Sequence, residues 1–387
     1  MNRPPNGFVR VATAVASGFV LVTAGFAWVA WAGIANVEGN LTVDRSLGGL
    51  LSSPSAQPAE GQDFTAENVL IVGSDTRTGQ GSGFGSLDDA SGNGHSDTTL
   101  LLHLSADRRS AFIVSIPRDS WVTRPGCKAD GATDGSTTTG KFNTAFAVGG
   151  RACVIAAVKV LTGVPIDHFI EVEFKGFEAI VNALGGVTIC STHAISDPIR
   201  PDGHGGMKGS GLKIPKGTST LNGKDSLKLV RARYIGDGSD LSRLDRQHKF
   251  LSAVIRQATT EDLLTNPVRL YDVLTQIAKA MTVDPGLSGD GLQEFLLSLK
   301  GLKPGDVRFY TVPVAPRGDG ANVIWVTKDA NKMWKAMIKD TAYPPHASKP
   351  SAIATAATAT SRPSASPSTN PGSASVAGTA ADTTCLS

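Results

Sequence analysis

A long uncharged run near the N-terminus constrains this chain more than any other feature. Residues 11–37 contain no Asp, Glu, Lys or Arg, whereas Arg10 and Glu38 flank the run. A helix of about 20 apolar residues spans the hydrocarbon core of a bilayer, so this run is long enough to cross a membrane. Tryptophans at positions 28 and 31, near its far end, are typical of a membrane interface. The run therefore predicts a transmembrane helix over residues 11–35.

The charges around this run predict its orientation. Arg3 and Arg10 favour a cytoplasmic tail over residues 1–10, because basic flanks stay on the inner side of the membrane. The rest of the chain then lies outside the cell membrane. The alternative is a cleaved signal peptide with a small-x-small site at residues 30–32. The apolar segment of a signal peptide is usually about 7–15 residues long, which is shorter than this run, so we favour an uncleaved single-pass anchor.

The composition of the two ends limits the chain to one folded domain. Residues 344–387 are rich in Ala, Ser, Thr and Pro and lack Phe, Trp and Tyr. Such a segment buries too little apolar surface to offset the entropy lost on ordering. We therefore expect a disordered tail over residues 343–387 and an extracellular linker over residues 36–66. Residues 67–342 are numerous enough for one domain with a core of its own.

Strand-like and helix-like patterns alternate along this domain. Short apolar runs predict strands at residues 68–72, 98–104, 111–116, 168–174, 187–190 and 307–314. Helical spacing predicts helices at residues 144–161, 176–184, 222–231, 241–257, 268–281, 292–299 and 328–339. Residues 78–96 are rich in Gly and Ser and predict a long loop. The alternation indicates the α/β class, with a sheet covered by helices on both faces.

Four arginines lie close together in the second half of the domain. Arg231 and Arg233 are two apart and share one face if the segment is extended, although the helical pattern before them also allows a helix end. Arg243 and Arg246 are three apart and share one face of a helix. Converging guanidiniums suit a dense anion such as pyrophosphate, because each offers a planar fork of charged donors. The alternative is an exposed basic surface, but interleaved apolar residues favour partial burial.

The net charge of the whole chain is only +3, so composition gives no reason to expect a nucleic acid partner. Charged residues make up 18% of the chain, below the roughly 25% that is usual for soluble chains. The arginine cluster is therefore a local feature rather than part of a generally basic protein.

Polar side chains mark the ends of three predicted strands. Asp75 follows the first strand, Asp97 precedes the second, and Arg118 follows the third. Ligand sites in α/β sheets collect at strand ends, and carboxylates suit a hard cation such as Mg²⁺. Taken alone, aspartates beside glycines are more often turn formers or helix caps. The 21 residues between Asp75 and Asp97 (76–96) also mean that the carboxylates meet only if the loop folds back.

The four cysteines match no zinc-binding spacing. Disulfides are permissible outside the cell membrane. Cys127 lies in a Gly- and Thr-rich loop and Cys153 lies in the next helical segment, so these two are the preferred pair. Cys190 lies in an apolar strand pattern, and whether it pairs with Cys385 stays open.

Six short motifs follow one another along the domain, and their order and spacing carry more information than any one of them. They are Gly73-Ser74-Asp75, Ser96-Asp97-Thr98, residues 115–120 (SIPRDS), Lys141-Phe142-Asn143, residues 221–233 with their Val-Arg-Ala-Arg end, and residues 240–247 (DLSRLDRQ). Together with the N-terminal anchor, this order resembles the LytR–CpsA–Psr family over residues 67–256. No single motif would carry the resemblance.

The resemblance implies a phosphotransferase outside the membrane. Such an enzyme moves a glycopolymer from a polyprenyl-pyrophosphate carrier to peptidoglycan and joins the two by a phosphodiester. The implied fold is an α/β/α sandwich with a central mixed sheet and an apolar cavity for the prenyl chain. Two alternatives remain open: a non-catalytic lipid-pyrophosphate-binding or regulatory membrane protein, and a hydrolase that releases prenyl phosphate.

The resemblance also implies roles for individual residues. Asp75 and Asp97 match the carboxylates that hold Mg²⁺ or Mn²⁺. The pyrophosphate site would comprise Arg118, Lys141, Arg231, Arg233, Arg243, Arg246 and Gln247. The residues expected to carry the catalysis are Arg118, Asp75, Asp97, Arg231 and Arg233.

Overall fold

The computed structural model describes residues 37, 39–52, 64–74, 96–128, 132–201, 207–232, 235, 240–299, 302–343, 376–379 and 385–386. The predicted cytoplasmic tail and transmembrane helix, the Gly- and Ser-rich loop before Ser96, and two of the predicted site residues, Asp75 and Arg233, lie outside this set.

The secondary structure of the described residues alternates between short strands and helices. Strands β1–β18 are, in chain order, Thr42–Val43, Glu67–Ser74, Ser96–Leu104, Ala111–Ile116, Trp121–Cys127, Thr133–Lys141, His168–Glu173, Val187–Ser191, Ile195–Asp197, Arg200–Pro201, Met207–Lys208, Leu212–Ile214, Gly217–Leu221, Met281–Val283, Val307–Thr311, Val314–Pro316, Val323–Trp325 and Val376–Thr379. Helices α1–α8 are Thr144–Thr162, Phe174–Ala183, Gly223–Arg231, Asp240–Ala258, Glu261–Leu264, Pro267–Ala280, Asp290–Ser298 and Thr327–Ile338.

The main sheet is mixed. Its strand order is β1-β14-β7-β2-β3-β4-β15-β18. Strands β2, β3 and β4 form an antiparallel meander, whereas β7 runs parallel to β2 and β15 runs parallel to β4. Residues 105–110 make a short connection between β3 and β4, whereas residues 75–95 separate β2 from β3. The parallel pairs are reached through long connections that contain helices.

Helices cover both faces of this sheet, because its central strands are apolar on both sides. On one face, Leu70, Leu101 and Val114 of the sheet pack into a core with α1 and α8. On the other face, Leu104 and Ile113 pack with residues from α4 and α7. The expected α/β/α sandwich with a central mixed sheet is therefore confirmed.

Helix α1 belongs to this core. Among the described residues it is the one helix that is long and apolar enough to cross a bilayer. Its Val154, Ile155 and Val158 are buried in the cluster beneath the sheet. It therefore acts as a core helix, and the span predicted over residues 11–35 stays a prediction.

The domain begins earlier than expected. Residues 36–66 were expected to form a linker, but β1 pairs with β14 at the sheet edge. Leu47 is fully buried in the core beneath that sheet, and Asp44 forms an ion pair with Arg151 of α1 at 3.1 Å. Pairing satisfies the backbone groups that an edge strand would otherwise leave open, so this segment is part of the domain.

The expected tail also returns to the domain. Strand β18 pairs with β15 at the opposite edge of the sheet. Cys385 forms a disulfide with Cys190, and Leu386 is buried against the core around β8. The expectation of a disordered tail over residues 343–387 is therefore wrong for residues 376–379 and 385–386. The disulfide and the pairing with β15 order these residues, although their composition provides little apolar surface to bury.

Two local differences have simple causes. The strand predicted over residues 307–314 stops at Thr311 and resumes as β16, because Pro313 has no backbone N–H to donate. The β5–β6 hairpin was not predicted as strands, because β6 is a run of exposed Thr, Ser and Gly with no apolar alternation. Its partner β5 carries Cys127, which is bonded to Cys153 of α1.

Candidate functional site at the strand ends

The antiparallel pairing of β2 and β3 brings two predicted site motifs to one end of the sheet. Ser74, the last residue of β2, is the register partner of Ser96, the first residue of β3. The two strand ends therefore lie side by side, which the metal prediction required. Asp97 follows Ser96 at a register shift of the ladder, between the Gly73–Thr98 and Ser74–Ser96 pairs. Asp75 follows Ser74 in the chain but lies outside the described residues.

Arg118 connects this end of the sheet to the end of β4. Its Nη1 donates to the carboxylate of Asp97 at 2.9 Å. The side chains are 12% and 22% exposed respectively, so the pair is held near the surface but not open to bulk water. Arg118 lies in a turn after Pro117, closed by the N–H of Ser120 donating to the Pro117 carbonyl at 3.0 Å.

Asp119 joins Arg118 to Lys141. Arg118 Nε lies 3.4 Å from one Asp119 oxygen, and Lys141 Nζ donates to the other at 3.1 Å. The backbone holds the same arrangement, because the N–H of Asn143 donates to the Arg118 carbonyl at 3.2 Å. The turn after β4 and the end of β6 are therefore fixed against each other. The side chains of Arg118 and Lys141 both pair with the carboxylate of Asp119.

Arg231 ends α3 and lies over an aromatic ring. Its guanidinium carbon is 4.5 Å from the centre of the Phe174 ring, at the start of α2. A guanidinium stacked in this way still donates hydrogen bonds in its own plane. The contact therefore fixes the orientation of the guanidinium, which a long exposed side chain would otherwise not hold.

Arg246 and Gln247 of α4 hold the chain that leaves α3. Arg246 donates to the carbonyls of Ala232 and Ile235 at 2.7 and 3.1 Å. Gln247 donates to the carbonyl of Val230 at 3.0 Å. The last carbonyls of a helix have no partner inside the helix, and cationic donors there also complement the helix dipole. In this structure Arg246 and Gln247 thus fix the position of Arg231.

A buried hydrogen bond connects α4 to β4. His248 Nε2 lies 2.6 Å from the hydroxyl of Ser115, and both residues are almost completely buried. The imidazole also stacks on Phe309, with ring centres 5.3 Å apart. Burial lowers the pKa of His248 to about 4, although the charge of Asp245 opposes that shift. The ring is therefore neutral at physiological pH.

The predicted site residues thus form two groups that the Ser115–His248 bond connects. The first group contains Asp97, Arg118 and Lys141, and Ser115 precedes Arg118 by three residues. The second contains Arg231, Arg246 and Gln247, and His248 is the next residue in the chain. Arg243 is also buried in α4. The roles implied for these residues stay predictions.

The described residues also bear on the predicted metal. None of them forms a group of three or more His, Cys, Asp or Glu side chains around a possible cation. Asp97 is a partly exposed carboxylate at the end of the β2–β3 ladder, and Ser74 at that end directly precedes Asp75. The carboxylate of Asp97 is the kind of oxygen ligand that Mg²⁺ prefers, and its predicted partner Asp75 lies outside the described residues.

Several side chains at this site were not predicted. Asp119 was named only as part of the SIPRDS motif, yet it bridges Arg118 and Lys141. Its position directly after an arginine at a strand end is a signal that could have found it. Phe174 and Ser115 gave no such signal, because their partners are distant in sequence. The buried Glu171 of β7, which accepts from Ser74 and Arg151, was also missed.

The fold and the side chains described above define an α/β/α sandwich protein with a group of arginines at and near its strand ends. The chain belongs to the LytR_cpsA_psr family, whose model matches residues 48–339. That match begins near the buried Leu47 and ends just after α8, in agreement with the boundaries of the structured domain.

Relatives with assigned names agree with this membership. The chain is 29% identical over 350 residues to "Cell wall biosynthesis protein LcpA" of Corynebacterium glutamicum, covering 84% of this chain and 64% of LcpA. It is 30% identical over 238 residues to the "Polyisoprenyl-teichoic acid--peptidoglycan teichoic acid transferase TagT" of Bacillus subtilis, covering 61% of this chain and 66% of TagT. The chain thus spans less than two thirds of LcpA.

A solved structure has the same fold. "TagT bound to LI-WTA" superposes with a TM-score of 0.53 at 22% identity, covering 77% of this chain and 98% of the other. At this identity the likeness concerns the fold alone.

Proposed function

We propose that this protein is a phosphotransferase that attaches a cell-wall or capsular glycopolymer to peptidoglycan through a phosphodiester. The donor would be the glycopolymer linked to a polyprenyl pyrophosphate. The observation that carries the proposal is the Ser115–His248 bond. It joins β4, which leads to the Arg118–Asp97 pair, to α4, which holds the chain that follows Arg231. Membership of a family whose named relatives include teichoic acid transferases supports it.

The cations at the site suit the leaving group of this reaction. Negative charge grows on the pyrophosphate as its phosphorus–oxygen bond breaks, and fixed donors stabilise that charge without reorganising. Arg118 is oriented by Asp97 and Asp119, and Arg231 is oriented by Phe174. Little covalent work by the protein is needed in phosphoryl transfer, where positioning and electrostatics supply most of the rate.

Asp75 and Asp97 would hold a Mg²⁺ or Mn²⁺ ion at the same end of the sheet. Such an ion, when bound, neutralises phosphate charge and orients the phosphate oxygens. Asp97 would then be shared between the ion and Arg118, whose Nη1 already lies 2.9 Å from it.

The prenyl chain would lie against the sheet face that α4 and α7 cover. Several hydrophobic side chains there are only partly buried: Ile71, Leu102, Leu251, Ile255 and Phe295. Partial exposure of apolar residues between two layers is typical of a ligand-binding groove. An uncleaved N-terminal anchor, with the domain outside the cell membrane, would keep this surface close to a membrane-borne donor.

The test is a transfer assay with the purified full-length chain in non-ionic detergent. The donor is a synthetic polyprenyl-pyrophosphate-linked oligosaccharide, the acceptor is peptidoglycan, and Mg²⁺ is present. Arg118→Ala is expected to reduce attachment at least a hundredfold, because a charge-assisted donor to the leaving group is lost. Arg109→Ala, which removes an exposed cation from the β3–β4 turn, is the control and should retain activity. Undiminished transfer by Arg118→Ala would contradict the proposal.

The alternatives separate in the same assay. Asp97→Asn should abolish transfer while leaving measurable donor binding, because the arginines remain. A non-catalytic binding protein would bind the donor but transfer nothing even with native Asp97. A hydrolase would instead release prenyl phosphate at the same rate with and without peptidoglycan.

A further inference from the structure

A cavity lies between the β5–β6 hairpin and α1. Its volume is about 570 Å³, within the range of about 300–1,000 Å³ that is usual for ligand pockets. Apolar side chains form much of its wall, including Leu50, Ile155 and Val160. Leu50 belongs to the segment that leads into the domain from the predicted membrane anchor.

Arg124 of β5 lines this cavity and is only 3% exposed. Its Nη2 donates to the Thr144 hydroxyl at 2.8 Å, and that hydroxyl donates in turn to the Lys141 carbonyl at 2.7 Å. Its Nε has no hydrogen-bond partner, and no described carboxylate forms an ion pair with it. A guanidinium stays charged, and burying a charge without a counter-ion is costly.

A second cation lines the same cavity, also without a carboxylate partner among the described residues. Lys159 of α1 donates to the Leu50 carbonyl at 2.8 Å. Among the described residues that line the cavity there is no Asp or Glu, whereas Thr123, Ser136 and Thr137 are among them. The two cations that line the cavity therefore carry positive charge that a bound anion would balance.

We propose that this cavity is a binding site for a small amphiphilic oxyanion. A phosphate or carboxylate group lies against Arg124 and Lys159, and a short apolar body packs on Leu50, Ile155 and Val160. The anion supplies the counter-charge that Arg124 lacks, and the planar fork of the guanidinium matches the geometry of either group. The site is separate from the predicted pyrophosphate site, because none of the described residues predicted for that site lines the cavity.

The experiment measures ligand binding by calorimetry on the full-length chain in non-ionic detergent, without divalent cations. The probes are n-hexyl phosphate, n-hexanoate, inorganic phosphate and n-hexanol. We expect n-hexyl phosphate or n-hexanoate to bind at least tenfold more tightly than inorganic phosphate, and n-hexanol not to bind. If inorganic phosphate bound as tightly as n-hexyl phosphate, the cavity would be a site for free anions, and the proposal of an amphiphilic ligand would be wrong. If n-hexanol bound as tightly as the two hexyl anions, the proposed role of Arg124 and Lys159 in binding an anionic group would be wrong.

Variants locate the binding. Arg124→Met should weaken binding of the amphiphilic anion at least tenfold, whereas Arg118→Ala should leave it unchanged. Loss of binding in Arg118→Ala with retention in Arg124→Met would assign the signal to the strand-end site and overturn the proposal. The result is independent of transfer activity, so failure here leaves the proposed function intact.

An exposed position provides a test that does not depend on replacing a buried residue. Val160 is 65% exposed and lines the cavity, so Val160→Asp should fold and should repel the anion. Val148 lies on the same helix, is 42% exposed and does not line the cavity. Val148→Asp is therefore the matched control. Equal weakening by both substitutions, or no weakening by Val160→Asp, would overturn the assignment.

Discussion

At the scale of single residues, side chains at the strand ends are fixed by partners that are remote in the sequence. Arg118 pairs with Asp97, which lies 21 residues earlier in the chain. Ser115 and His248, which are 133 residues apart, share a buried hydrogen bond. Because a rigid cation stabilises developing charge better than a mobile one, these contacts matter for the proposed reaction as much as the arginine itself.

His248 should make folding stability dependent on pH. Burial holds its folded-state pKa at about 4, below the ordinary value near 6.5. Between these values the unfolded chain binds a proton that the folded chain does not, so stability falls as pH is lowered from about 6.5 toward 4. At pH 5 the loss from this one group is about 2 kcal/mol.

The measurement compares the native chain with His248→Gln, whose amide retains a hydrogen bond to Ser115 but does not titrate. The melting temperature of the native chain should fall more steeply between pH 7 and pH 5 than that of the variant. Asp245, the charged group that acts on His248, remains in both proteins. Parallel pH profiles would show that His248 is not held neutral by burial.

At the scale of elements, the end of α3 depends on α4. Arg246 donates to two carbonyls beyond α3, and Gln247 donates to a third in its last turn. The start of α3 is capped separately, because Asn222 accepts from the N–H of Asp225 at 2.9 Å. Helix α3 is thus fixed at both ends, and its last residue, Arg231, is held over Phe174.

Arg246→Lys separates charge from geometry at this contact. Lysine keeps the positive charge but does not reproduce the planar fork that reaches both carbonyls. A buried carbonyl without a partner costs about 1–3 kcal/mol, so we expect the free energy of unfolding to fall by about that amount. Transfer activity should fall with it, because Arg231 loses its support.

Denaturant unfolding and the transfer assay check this expectation on the same protein. Lys249→Arg, an exchange of the same two residue types in the next turn of α4, is the control. If Arg246 acted only through its charge, Arg246→Lys would keep both native stability and native activity.

At the scale of the whole molecule, two disulfides close loops of very different length. Cys127 and Cys153 are 26 residues apart, and Cys190 and Cys385 are 195 residues apart. The second bond, together with β18 and Leu386, ties the end of the chain to both the sheet edge and the core around β8. The Ala-, Ser-, Thr- and Pro-rich segment is therefore attached to the domain at both of its ends.

Loss of the long-range disulfide should be the more destabilising. In the chain-entropy description a loop near 200 residues contributes about 5 kcal/mol and one of about 25 residues contributes about 3.5 kcal/mol. Cys385→Ser should therefore lower the melting temperature more than Cys127→Ser under oxidising conditions. Reducing agent should remove the difference. A larger effect of Cys127→Ser would mean that the end of the chain adds little to the stability of the domain.

The sequence by itself determined the family, the order of most strands and helices, and the motifs that supply the site. These properties depend on local patterns: apolar spacing sets each element, and short motifs such as SIPRDS carry the family resemblance. The preferred Cys127–Cys153 pair also followed from local context, since the two residues lie in neighbouring segments. Strands β6 and β1 were not predicted, because neither has an apolar pattern. Strand β6 is an exposed run rich in threonine, and β1 is an edge strand of only two residues.

Only the tertiary structure decided which of these groups meet. The contacts that build the site and close the chain all join residues from different elements. They are the Arg118–Asp97 ion pair, the hydrogen bond from Arg246 to the Ala232 carbonyl, the Ser115–His248 hydrogen bond and the Cys190–Cys385 disulfide. No local pattern encodes such contacts, because each depends on how sheet and helices pack and on the free energy of closing long loops. The uncompensated charge of Arg124 likewise became visible only when its buried surroundings were known.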